Sequence, residues 1–273
     1  MRKREIEKLV NDALGAEGEK RAELMYELSD LVKEHEGDET GLLAPIERAM
    51  PQLADYLLDE KTGNVSGCTI SIFRRIPFGC ETIARLIQIQ ETHPNPMVVE
   101  AIGKLDPSDW SDEVEETLAK ALEQEYTVDQ AVYAFFCNAP CINHASTLSA
   151  LASAVFPTDW CRSSRAVATL ASSTQHAHGN YAMNLLNEIL DQAPPDLRKD
   201  IATCLGWATD RGLPLLTRLA TDESPTVREA TAQALGRGYL ENEESRPLLE
   251  KLKCDPSTVV QKAAIEALNS SSS

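Results

Sequence analysis

One two-helix unit is written twice in this chain at an ungapped offset of 33 positions. The segment LPLLTRLATDESPTVREATAQALG (213–236) returns as RPLLEKLKCDPSTVVQKAAIEALN (246–269). Leu216 and Leu249, Asp222 and Asp255, Val227 and Val260, Ala230 and Ala263, and Ala234 and Ala267 fall in the same places. A period of this length marks stacked helical pairs, because one such unit cannot bury its apolar face alone. In the second half, Val227, Ala230, Thr231, Ala234 and Leu235 follow i, i+3, i+4, i+7, i+8, the stripe of a 3.6-residue helix. Ser224 is the expected N-cap, and Pro225 suits the first helical position, where a missing N–H costs nothing. Leu215, Leu216 and Leu219 give the first half its own buried face. The alanines let neighbouring helices approach closely.

Asp222, Ser224, Pro225, Val227, Arg228, Ala230, Ala234, Leu235 and Gly236 together resemble the HEAT family. The spelling is most similar to the short HEAT-like subtype of phycobilisome lyases and many bacterial proteins. The resemblance implies an all-α, right-handed α-solenoid of antiparallel pairs, with second helices lining its concave side.

Two charged amphipathic segments open the chain, with Ile6, Leu9, Val10 and Leu14, then Leu24, Leu28, Leu31 and Val32, on their apolar faces. Residues 1–37 are read as an N-terminal helical cap, residues 38–269 as the solenoid and residues 270–273 as a disordered tail. A partner-binding arm is the alternative reading of the first segment. Seven pairs are expected: 42–58 with 65–76, 82–91 with 96–105, 114–124 with 128–137, and 145–155 with 160–171. The last three are 181–190 with 195–208 and the two clear units. Gly, Pro, Asp and Asn gather between them, as loops require.

The formal charge of −17 makes nucleic acid a poor partner, since an acidic surface repels phosphate. Aromatic residues are only 5% of the chain, which suits helices packed on alanine and leucine. The N-terminal segment MRKREIEKLVNDAL lacks the apolar stretch of a signal peptide, and no run is long enough for a membrane span. Seven irregularly spaced cysteines describe no disulfide framework. The cytoplasm is the expected compartment.

Arg198 and Arg228 share a repeat position, and Asp222 and Asp255 share another. HEAT-like arrays place such residues in an Asp–Arg ladder between repeats, with a ligand-binding arginine as the alternative. Cys137, Cys141, His144 and Cys161 carry soft donors close in sequence, but without a C-x2-C pair they read as packing residues and no metal or cofactor is assigned. Cys68 and Cys204 fall in or beside the packed stripes, and His176 and His178 read as solvated loop residues. The HEAT-repeat hydroxylase of a lysine-derived residue, which this fold resembles, holds two irons with repeated His-Glu pairs. Here His35-Glu36 is the only such pair. HEAT-like DNA glycosylases imply a basic groove, at odds with the acidic balance. No nucleophile elbow, phosphate loop or zinc-protease motif occurs.

A 100° step per residue sets Glu229, Ala232, Gln233 and Gly236 opposite the core stripe. The equivalents are Ile70, Ser71 and Arg74; Glu100, Gly103 and Lys104; Gln130, Tyr133 and Ala134; Ser164, Val167 and Ala168; and Lys199, Thr203, Lys262 and Glu266. Arg74, Lys104, Tyr133, Lys199 and Lys262 are the candidate partner-binding residues. They point to a non-enzymatic protein-binding scaffold or inhibitor whose partner is another protein, one acidic at the contact if the cations meet it. The alternatives are a bilin-lyase-like enzyme or lyase subunit, implied by the resemblance, and a bacterial immunity protein that neutralises a toxin.

Overall fold

The computed structural model describes residues 2–37, 40–59, 64–155, 159–208, 210–239 and 243–270. Among them lie sixteen α-helices, four short 3₁₀ turns and no strand. The chain divides into two compact units, residues 1–134 and 135–273. Of the tail read at 270–273, residues 271–273 lie outside the described residues.

The first unit holds α1 (Lys3–Gly15), α2 (Gly18–Glu34), α3 (Ala44–Leu53), α4 (Val65–Phe73), α5 (Cys80–Thr92), α6 (Pro96–Ile102), α7 (Asp112–Leu122) and the beginning of α8 (Val128–Cys137). Odd-numbered helices pack on one another, α1 on α3, α3 on α5 and α5 on α7, and α2, α4 and α6 make the second layer. The two N-terminal helices therefore continue both layers. Ile6, Leu28, Ile46, Met50, Ile72, Leu86, Val99 and Leu118 are fully buried between the layers. Gly18 turns the chain from α1 into α2 at φ +55°, a conformation that side chains with a Cβ rarely adopt. After Pro51, which has no N–H to donate, α3 tightens into a 3₁₀ turn at Ala54–Leu58.

The second unit holds α9 (Ala145–Ser153), α10 (Trp160–Ser173), α11 (Gly179–Gln192), α12 (Pro195–Leu205), α13 (Leu213–Leu219), α14 (Pro225–Gly238), α15 (Ser245–Leu252) and α16 (Thr258–Ser270). Its most extensive contacts run α10–α12, α12–α14 and α14–α16, so the second helices form a continuous layer. Leu151, Leu170, Leu186, Leu205, Leu216, Leu235 and Leu249 fill the space behind it. The clear repeats are thus α13/α14 and α15/α16.

Two devices set the spacing of this layer. The first is the predicted ladder. Arg198 on α12 grips Asp222 in the loop before α14 through two bonds, Nε to Oδ2 at 2.7 Å and Nη2 to Oδ1 at 3.0 Å. Arg228 on α14 holds Asp255 before α16 with the same pair of distances. Each aspartate also accepts the backbone N–H two residues on, Ser224 or Ser257, at 2.8 Å. The rung therefore fixes the loop as well as the neighbouring repeat. At the next position the arginine is replaced by Gln261, whose Nε2 donates to the Asp255 carbonyl at 2.6 Å. Ser224 does occupy the N-cap, but its hydroxyl pairs with Thr226 Oγ1 at 2.9 Å instead of a backbone amide.

The second device is close approach through glycine. A Cβ on Gly236 would stand 2.5 Å from Ala267 Cβ and 2.9 Å from its Cα, and one on Gly206 would stand 3.1 Å from Ala234 Cα. In the first unit Gly103 meets Ala134 in the same manner. Gly236→Ala is expected to force α14 and α16 apart and lower stability by about 1–3 kcal/mol. The gain in helix propensity, at most about 1 kcal/mol, does not offset it. A thermal melt equal to or above that of the native chain would contradict the contact.

Candidate functional site

A second helix flanked by two others, such as α12 or α14, has a partner behind it and a neighbour on either side, so only a narrow edge of it reaches solvent. In the second unit this edge is regular. Lys199, Thr203 and Trp207 follow i, i+4, i+8 at α12, Glu229, Gln233 and Arg237 do so on α14, and Lys262 and Glu266 lie on α16. Lys199, Trp207, Gln233, Arg237, Lys262 and Glu266 are exposed, and Thr203 and Glu229 are half-buried. The crowded neighbours correct part of the predicted strip. Ala232, Ile70, Ala134 and Val167 are buried. Gly236 and Gly103 belong to helix–helix contacts. A picture with only a core side and an opposite side omits the flanking helices that cover these positions.

Trp207 is 68% exposed, yet its backbone is held by hydrogen bonds. Its backbone N–H donates to Cys204 O at 3.1 Å, and its carbonyl accepts from Gln175 Nε2 at 2.6 Å. Gly238 comes so near the Gly206 carbonyl that a Cβ there would collide with it. The Arg237 guanidinium lies 4.9 Å from the Trp207 ring centre. No carboxylate among the described residues pairs with Arg237 or Lys199, whereas Lys262 shares a loose pair with Glu266 at 3.8 Å. Between α14 and α16 opens a groove of about 450 Å³ lined by Gln233, Gly236, Arg237, Ala263, Glu266 and Ala267. Reading the strip from sequence missed Trp207 and Arg237. Both follow the packing glycines, Gly206 and Gly236, at the same offset of 30, and that register was the available signal.

The first unit presents a different edge. Arg74 donates from Nε to Glu100 Oε1 at 2.7 Å, so its charge is already met. Lys104 lies over the Tyr133 ring, 5.2 Å from its centre. Arg74 and Lys104 also line a cavity of about 240 Å³ with Phe73, Phe78, Asp106 and Asp109. Phe73 and Phe78, 5.1 Å apart, form its apolar side. The Asp106 carboxyl is held below the usual carboxylate range chiefly by the Ser108 hydroxyl, which donates to it at 2.6 Å. Anions thus balance the cations around this cavity.

Cys137 and Cys161 are exposed and Cys141 half-buried. No three of Cys137, Cys141, His144 and Cys161 bring donor atoms within 4.8 Å of one another. Burial raises the Cys68 thiol and lifts that of Cys204 to about 12, so both are protonated packing groups at neutral pH. His178 departs from its reading as a solvated loop residue. Half-buried at the N-cap of α11, it lies 2.7 Å through Nε2 from the Asn143 carbonyl.

No curated protein shows a significant sequence match. Among solved structures, human deoxyhypusine hydroxylase in complex with glycerol is similar at 18% identity. That match covers 98% of this chain and 96% of the hydroxylase, with a TM-score of 0.39. An engineered protein is similar at 19% identity over 97% of this chain and 95% of its own, with a TM-score of 0.28. Residues 182–269 match the family model for HEAT repeats. With its paired helices, Asp–Arg rungs and glycine contacts, that stretch is built of HEAT repeats.

Proposed function

We propose that the protein is a non-enzymatic scaffold or inhibitor that grips another protein along the exposed edges of its second helices. The observation that carries this reading is the chemistry of those edges. In a chain of charge −17 they present Lys104 with Tyr133 in one unit and Lys199, Trp207, Arg237 and Lys262 in the other. Aromatic and arginine side chains on an ordered support are the usual anchors of protein interfaces. The edges offer cations, amides and rings rather than a nucleophile beside a base. The charged outer faces of α1 and α2 suit an end cap over residues 1–37. Seven free thiols agree with a cytoplasmic setting. Among the described residues no helix is long and apolar enough to cross a membrane.

Capture from a lysate of the source organism tests the reading when variants are compared. The native chain and Lys251→Glu, an exposed first-helix change, are expected to retain the same partner. Tyr133→Ala is expected to weaken that partner's binding by about 1–2 kcal/mol. Lys199→Glu with Lys262→Glu is expected to slow its association if the contact is acidic. Loss of the partner on Lys251→Glu, with the three edge changes silent, would place binding on the first helices instead.

A further inference from the structure

We propose that the second-helix edge of residues 195–270 docks an acidic segment of a partner protein, with Trp207 receiving an apolar side chain and Arg237 a carboxylate. This rests on the scaffold reading and adds the partner's chemistry.

Three observations carry it. The first is the Trp207–Arg237 pair. Stacking on a ring occupies the face of a guanidinium and leaves its in-plane N–H donors unspent. With no carboxylate among the described residues on Arg237, those donors remain for a forked bond to a carboxylate. The indole itself is two-thirds exposed and anchored through its backbone, so its apolar surface is presented at little entropic cost.

The second observation is charge distribution. Residues 135–273 carry 12 basic and 15 acidic side chains, a net of −3, and the remaining −14 lies in residues 1–134. An acidic segment is repelled far less by the second unit than by the first. On its edge Lys199 and Arg237 are uncommitted, and Lys262 is only loosely engaged. In the first unit Arg74 is held by Glu100, and Arg75 by Glu36 at 3.2 Å. The third observation is room. The groove beside Arg237 is floored by Gly236, Ala263 and Ala267, so a backbone can approach where larger side chains would exclude it.

The probe is a fluorescein-labelled (Glu-Glu-Leu)4 peptide, with (Gln-Gln-Leu)4 and (Lys-Lys-Leu)4 as comparisons. Anisotropy is read at about 0.15 M salt, where a Debye length of roughly 8 Å screens the distant charge of the first unit. The acidic peptide is expected to bind saturably and at least about tenfold more tightly than either comparison. Trp207→Ala and Arg237→Ala should each weaken it about tenfold. Lys251→Glu should change it less than about twofold, and melting curves should show all three variants folded. Absence of saturable binding, equal binding of the Glu and Gln peptides, or indifference to both edge variants overturns the proposal. Lysate capture separates this failure from that of the scaffold reading. If the peptide fails while Tyr133→Ala and Lys104→Glu still release the captured partner, the acidic segment is wrong and the scaffold stands. If Trp207→Ala, Arg237→Ala, Tyr133→Ala and Lys104→Glu all retain that partner, both are wrong.

Discussion

A chain carrying Ala230→Glu is expected to lose roughly 3–5 kcal/mol of stability, the cost of a buried charge without a partner. Ala230 is 3% exposed on α14. It stands one turn before Ala234, which packs against Gly206 at the end of α12. The helices there are too close for a longer side chain to escape to water, and the buried Thr231 hydroxyl is already satisfied by Val227 O at 2.8 Å. Gln233→Glu changes an exposed residue of the same helix and should stay within about 0.5 kcal/mol of the native chain. Chemical denaturation of the two variants checks the phase of the helix. Equal losses would mean that Ala230 does not face a neighbour.

Arg228→Ala should rank next, at about 2–4 kcal/mol, because it strands the largely buried Asp255 carboxylate. It also removes the donor to the carbonyls of Asp222, at 2.6 Å, and Glu223, at 3.0 Å. The Arg228 guanidinium is the main cause holding the Asp255 carboxyl below its usual range, with the Ser257 N–H adding to it and burial opposing it. A folded value below the unfolded one means that this stabilisation is complete above the ordinary carboxylate value, about 4. It is lost as pH falls through the depressed value. The difference between the native chain and Arg228→Ala should therefore be largest near neutrality and shrink below about pH 4. Arg228→Gln, which copies the residue at 261, keeps the backbone bond without the charge and should lose less than Arg228→Ala. A pH-independent gap would show that the rung acts through packing alone.

The helical pairs were readable because their signals are local. Apolar positions recur at helical spacing, Pro225 and Pro96 mark first turns, Arg198 recurs as Arg228, and Asp222 recurs as Asp255. The ladder was readable for the same reason, since both partners are written into the repeat. What the sequence concealed depends on neighbours distant along the chain. Ala232 and Ile265 share a repeat position, yet Ala232 is fully buried and Ile265 is 41% exposed. No repeat among the described residues follows α16 to cover the latter. Gly103 and Gly236 were placed opposite the core stripe, and both also serve as contact points with the next helix. Trp207 lay one turn beyond the strip inferred from α12, and its pairing with Arg237 needs the spacing of two helices that the glycines set. His178 likewise gains its partner from Asn143, a residue of the loop before α9.

Footprinting of the complex by mass spectrometry tests the central claim most directly, because it reports which edge a partner covers. The captured complex and the free chain are acetylated at lysine and oxidised at tryptophan under the same conditions. The account predicts protection of Lys199, Lys262 and Trp207 on binding, with Lys251 and Lys120 on the first helices unchanged. Protection of Lys251 and Lys120, with Trp207 and Lys199 as reactive as in the free chain, would contradict it.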